Sequence, residues 1–243
     1  MTTTAPPTTG TALPTTAPAV RTDIDGTTHP REAVLAWELD RARAALHLLK
    51  QRLGDDRTRE LLAADTTAAD TALAGWAHAS AGRWRTAVTE LTATGIDAER
   101  FLTWWQGRLH CGDRTALLAA NPEHYLADST GDRVEIIETI GTGPARFFLR
   151  FHDDAPDDAP DRHTPDRHTP DHAAFPVRIG GTGTLADGTE VLHVLHEFAD
   201  APDGLRIRLT VRFPEAAPEH LATGHQWHFA CEFANWIEAA HRA

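Results

Sequence analysis

Lysine is nearly missing from this chain. Lys50 is the only one among 23 cationic side chains, and the others are arginine. With the abundance of Ala, Thr, Asp and Pro, that bias points to a high-GC bacterial genome. Serine occurs only at Ser80 and Ser129, and no Gly-x-Ser-x-Gly is present, so a serine nucleophile has little support. Cys111 and Cys231 are the two cysteines. They form no Cys-x-x-Cys pair, which excludes a zinc ribbon or a thioredoxin-type site. Both are expected as buried, reduced thiols. No apolar run reaches the length of a membrane span. The opening MTTTAPPTTGTALPTTAPAV lacks the basic and apolar regions of a secretory signal. A soluble, cytoplasmic protein is expected. Positive charge is also short: 23 Lys+Arg face 35 Asp+Glu, a net charge of −12. That balance speaks against a nucleic-acid partner and against docking on anionic lipid. Gly180-Gly181-Thr182-Gly183 has no following helix and no lysine, so it is neither a P-loop nor a dinucleotide fingerprint.

What remains is a 243-residue chain, 41% hydrophobic, with seven Trp and nine Phe. It is large enough to bury a core. Residues 1–26 hold almost no large apolar side chain and read as a disordered tail. Residues 27–121 read as a helical region, and 122–243 as an antiparallel sheet followed by a helix. One integrated domain is expected. His29, Pro30 and Glu32 mark a helix start, and Gly54 marks its end. Within it Leu35, Leu39, Ala42, Leu46, Leu49 and Leu53 recur at steps of four and three, a narrow apolar seam. Packing within the same chain is the expected cover for that seam. A homodimer through Leu35, Leu39, Leu46, Leu49 and Leu53 is the alternative. Further helices are predicted at 56–65, 70–93, 97–109 and 114–120.

After Pro122 the pattern changes to turn-linked strands, at 124–129, 133–141, 145–152, 175–185, 189–199 and 205–213. The glycines at 180–183 suggest a bulge or a close backbone approach. Asp187-Gly188 and Pro202-Asp203-Gly204 are turn signals. Pro214 and Pro218 introduce a helix over about 218–241. The segment 153–172, with the tandem repeat Asp-Arg-His-Thr-Pro and His163, His168 and His172, reads as a disordered hairpin loop rather than a metal cage.

Alternation sorts the strand residues by face. In 205–213, Leu205, Ile207, Leu209, Val211 and Phe213 oppose Arg206, Arg208, Thr210 and Arg212. The arginine side is expected to be solvated. In 189–199, Leu192, Val194, His196 and Phe198 share the apolar face, so His196 points inward. In 133–140, Val134, Ile136, Glu138 and Ile140 share a face, so Glu138 does too. A buried ionisable group is costly unless paired or neutralised. On the last helix Phe229, Phe233, Trp236, Ile237 and Ala240 form the core stripe. His225, His228, Glu232 and Asn235 flank it at helical spacing.

The fold class is therefore α+β: a helical N-terminal half, then a curved antiparallel meander of five or six strands clasping a long C-terminal helix. The second half resembles a helix-grip or cystatin-like arrangement, which implies a ligand cavity between helix and sheet. The leading functional reading is a small-molecule enzyme of bacterial specialised metabolism using His/Glu acid–base chemistry, of the isomerase, cyclase or lyase type. His196, His225, His228, Glu232 and Glu138 are its candidate catalytic residues. Phe198, Phe229, Asn235 and Trp236 are its candidate substrate contacts. This reading requires no cofactor. A second reading places a divalent metal on His225, His228 and Glu232. A third is a non-catalytic ligand-binding or dimeric partner protein.

Overall fold

The computed structural model describes residues 20–110, 114–152 and 174–243. Cys111, the segment 153–172 with its three histidines, and residues 1–19 of the expected tail lie outside the described residues. The chain divides into two compact units at Gly54.

The first unit holds a short hairpin, β1 (Thr22–Ile24) and β2 (Thr27–His29). Residues 22–26 thus depart from the expected disorder. The reason is the Asp25-Gly26 turn, whose positive φ values of 50° and 81° suit a two-residue hairpin. Helix α1 (Arg31–Leu61) follows and breaks at Gly54, where φ is 67°. That is the left-handed region that favours glycine. Leu35, Leu39, Leu49 and Leu53 are exposed along this helix, with Leu46 half-buried.

The second unit carries the sheet. After the end of α1 come α2 (Ala63–Ser80), β3 (Trp84–Thr94), α3 (Ala98–His110) and α4 (Arg114–Ala120). Then β4 (His124–Thr130), β5 (Arg133–Ile140), β6 (Gly143–His152), β7 (Val177–Thr184), β8 (Glu190–Ala201) and β9 (Gly204–Pro214) run as an antiparallel meander. Helix α5 (Glu219–Arg242) closes the chain. The sheet order is β3-β9-β8-β7-β6-β5-β4.

Strand β3 was expected as helix. It pairs along its whole length with β9, from Trp84 opposite Pro214 to Thr94 opposite Gly204. Its β-branched residues, Thr86, Val88, Thr89, Thr92 and Thr94, suit a pleated surface. The spacing of Trp84, Val88 and Leu91 imitates a helical stripe. The sheet accordingly has seven strands.

Helix α5 packs against β3, at one edge, and against β5, next to the other edge. Only a curved sheet can touch one helix at both ends, so the meander wraps round α5. Glycines on β7 permit the bend. A Cβ on Gly183 would stand 2.6 Å from Leu192 Cγ, and one on Gly181 2.9 Å from Val194 Cγ2. Register shifts at Gly183/Thr184, a bulge as the glycines suggest.

The inward face of β9 is wholly buried, and beside it Phe101 packs on Phe198 of β8 and on Phe233 of α5. The arginines of the other face are engaged rather than simply solvated. Arg208 Nε donates to Glu90 Oε1 at 2.8 Å, and Arg178 Nε lies 3.4 Å from Glu197. Arg206 and Arg208 stand over the Phe175 ring. Among the described residues no helix is long and apolar enough to cross a membrane.

Candidate functional site

A cavity of about 80 Å³ lies between α5 and the concave face of the sheet. Its walls are apolar, with Trp105, Leu126, Phe147, Leu192, Phe229 and Trp236 among them. Its other lining residues include His124, Glu138, His196, His225, His228 and Glu232. All six of these ionisable residues are at least nine-tenths buried.

Secondary structure explains why they meet. Strand β4 pairs with β5 so that His124 stands directly opposite Glu138. On its other side Glu138 faces the small, buried Ala145 of β6. His225, His228 and Glu232 recur at three and four along α5 and share one helix face. His196 comes from β8 through strand alternation. Helix α4 is pinned to α5 by Asn235 Nδ2, which donates to Ala120 O at 2.6 Å, and by Trp236 Nε1, which donates to Ala116 O at 3.4 Å. Asn121 follows α4. Its side chain donates to His228 O and accepts from the Glu123 amide. This turn delivers His124 against His228.

The Nε2 atoms of His124 and His228 are 2.9 Å apart. His124 Nδ1 donates to Leu117 O at 2.8 Å, which leaves its Nε2 as the acceptor and makes His228 Nε2 the donor. Glu138 Oε2 lies 3.7 Å from His124 Nε2 and 3.6 Å from His228 Nε2. Glu232 Oε1 lies 3.6 Å from His124 Nε2, and Glu123 Oε2 3.5 Å from His228 Nδ1. These are ion-pair separations rather than hydrogen bonds. His225 stacks parallel on His228, ring centres 4.8 Å apart.

The electrostatics follow from burial and charge. Burial alone would lower His228, but Glu138, Glu123 and Glu232 outweigh it and hold the imidazolium to about 9. Burial pushes Glu232 up to about 8 against the opposing pull of His228. Glu138 also shifts upward, for the same first reason. Two carboxylates beside one imidazolium leave a net buried negative charge, and a proton on one carboxyl removes it. Burial keeps His196 neutral, down to about 3. It also lowers His225 well below the usual range, with His228, His124 and His196 adding to the effect. His196 Nδ1 and Trp105 Nε1 are buried and have no hydrogen-bond partner among the described residues. Their rings meet edge to face at 5.9 Å.

The five candidate catalytic residues thus come together at one cavity, as do Phe229 and Trp236. Phe198 does not line it. It is buried between Phe101 and Trp105. Asn235 does not line it either and serves instead as the clasp to α4. The metal set named from sequence also changes. The ionisable atoms lying within 4.8 Å of one another belong to His124, Glu138 and His228, whereas His225 is stacked behind His228. Sequence reasoning missed His124 altogether. Its only signal was a histidine directly after Asn121-Pro122-Glu123, at the start of a predicted strand.

A curved antiparallel sheet wrapped round a C-terminal helix, with an internal cavity between them, defines a helix-grip protein. Among solved structures, the chain is similar to that of Ara h 8.0201, at 9% identity and a TM-score of 0.42, covering 66% of this chain and 99% of that one. It is similar to protein MLL2253 from Mesorhizobium loti, at 13% identity and a TM-score of 0.36, covering 65% and 98%. A third, an uncharacterized protein from Rhizobium leguminosarum, shows 15% identity and a TM-score of 0.38, covering 66% and 97%. No protein-family model and no curated protein matches the chain.

Proposed function

We propose that this protein binds a small, largely apolar molecule in the cavity and moves a proton on it. The reaction would be an isomerisation, cyclisation or elimination of bacterial specialised metabolism. The observation that carries this reading is the placing of Glu232, whose carboxyl holds its proton to about 8, in an apolar cavity beside the His228 imidazolium. A group titrating near the working pH is suited to give and take a proton. Glu232 is the general acid or base. His228 supports charge that develops on the substrate, and Glu138 balances His228. His196 Nδ1 and Trp105 Nε1, which lack partners, are suited to bond the one polar group of an otherwise apolar ligand. Phe229 and Trp236 form its apolar wall.

The test is a compound screen read by tryptophan emission, followed by product detection for the compounds that bind. Glu232→Gln is expected to lower turnover by about 10²–10⁴-fold while binding changes little. Unchanged turnover in Glu232→Gln would show that the proton is moved by another group.

A further inference from the structure

We propose that His124 Nε2, His228 Nε2 and Glu138 Oε2 form a binding site for one divalent transition-metal ion, of the zinc or iron(II) class. The three atoms are separated by 2.9, 3.7 and 3.6 Å. A triangle with those sides has a point about 2.0 Å from every corner, the length of a zinc–imidazole or zinc–carboxylate bond. Two imidazoles and a carboxylate suit zinc and iron rather than magnesium or calcium, which prefer all-oxygen shells.

The surroundings of the triangle are those of a metal site. His124 donates its Nδ1–H to the Leu117 carbonyl, which fixes the tautomer with the Nε2 lone pair turned to the triangle. His228 Nδ1 faces the Glu123 carboxylate at 3.5 Å, so the same tautomer is favoured there. Metal-ligating histidines are oriented by such outer partners. Two Nε2 lone pairs cannot face each other at 2.9 Å without a cation between them. In the metal-free protein a proton on His228 fills that role, and the ion takes its place. All three ligands are buried, and the cavity supplies the side from which a substrate oxygen can approach. Glu232 Oε1 stands 3.6 Å from His124 Nε2, so a bound ion would supply beside it the positive charge that the His228 imidazolium supplies without one.

The test uses the untagged full chain, stripped with a chelator. Zinc is titrated calorimetrically and cobalt(II) by visible absorption. One ion per chain is expected, with micromolar or tighter affinity and a cobalt spectrum of low-coordinate type. His124→Gln and Glu138→Gln are each expected to weaken binding by about a hundredfold or more. Glu123→Gln, at a half-exposed position that leaves the fold intact, is expected to weaken it by about 10–100-fold. A triple His163→Ala, His168→Ala, His172→Ala variant controls for the histidine-rich segment and is expected to bind like the wild type. No binding by the folded wild type, binding lost in the triple variant, or affinity unchanged in Glu123→Gln and His124→Gln would overturn the proposal. The readout is ion occupancy, so it is separate from the Glu232 test. Ion binding with full turnover in Glu232→Gln sinks only the acid–base reading. Lost turnover there without ion binding sinks only the metal site.

Discussion

His124 and His228 are 104 residues apart in the chain, yet their Nε2 atoms meet at 2.9 Å. One ring begins β4 and the other lies midway along α5. Their contact joins the edge of the sheet to the helix it encloses, and the two carboxylates of the cavity gather round it.

Removing one ring from this pair exposes its energetic role. His124→Phe keeps a planar ring but leaves the His228 N–H without its acceptor and the Leu117 carbonyl without its donor. A buried polar group so orphaned costs about 1–3 kcal/mol. Urea unfolding near neutral pH should show a loss of that size with near-UV circular dichroism retained. An unchanged midpoint would mean that the two rings do not share a hydrogen bond.

Acid stability should carry the mark of His196. Burial holds this group at about 3 in the folded chain, against about 6.5 for a free imidazole. Between those values the unfolded chain takes up a proton that the folded chain refuses. Stability therefore falls as pH drops through that window, by up to about 1.4 kcal/mol per pH unit. His225, the titratable neighbour whose charge acts on the same region, is lowered too and contributes with the same sign. The aromatic neighbours Trp105, Phe229 and Phe233 do not titrate. His196→Phe should show a shallower acid limb in unfolding measurements between about pH 4 and 7. Superimposable limbs would contradict the burial account.

The curvature of the sheet depends on the missing side chain at position 183. Gly183→Ala places a Cβ 2.6 Å from Leu192 Cγ. Leu192 is the direct cross-strand partner of Gly183 and is fully buried, which limits its retreat. Overpacking of this kind costs about 1–3 kcal/mol. Thermal unfolding of the variant checks it, and an unaltered melting temperature would show that Leu192 can move aside.

How much of this was legible in the sequence varies by element. Turn signals between β-rich runs marked β4 to β9, and period-two alternation within β5 and β8 turned Glu138 and His196 inward. Helical spacing grouped His225, His228 and Glu232. Strand β3 was hidden, since Trp84, Val88 and Leu91 also fit a helix and its partner β9 lies more than a hundred residues later. His124 was hidden for another reason. The register shift between His124 and Leu126 breaks the alternation that would have assigned its face. Asn235 shares the helix edge with Glu232, but spacing alone does not reveal that α4 would take up its amide.

Leu35, Leu39, Leu46, Leu49 and Leu53 of α1 recur at the four-three spacing of a helix pair, and among the described residues Leu35, Leu39, Leu49 and Leu53 are exposed. We propose a second copy of the chain. Light scattering should give twice the monomer mass for the wild type and the monomer mass for a Leu39→Glu, Leu46→Glu variant. A monomeric wild type would dispose of the idea.

The proposed role of the cavity as a small-molecule site is open to direct test. Ala127 lies half-buried on its lining, where a longer side chain can enter the open space with little disturbance to the packed core. The most direct measurement is equilibrium binding of small apolar compounds bearing a single hydroxyl, carbonyl or carboxyl group, read by tryptophan emission in the wild type and in Ala127→Phe. The wild type should bind at least one class with micromolar affinity, and the filled variant should lose tenfold or more while remaining folded. Equal binding in the two proteins, or none in the wild type, would contradict it.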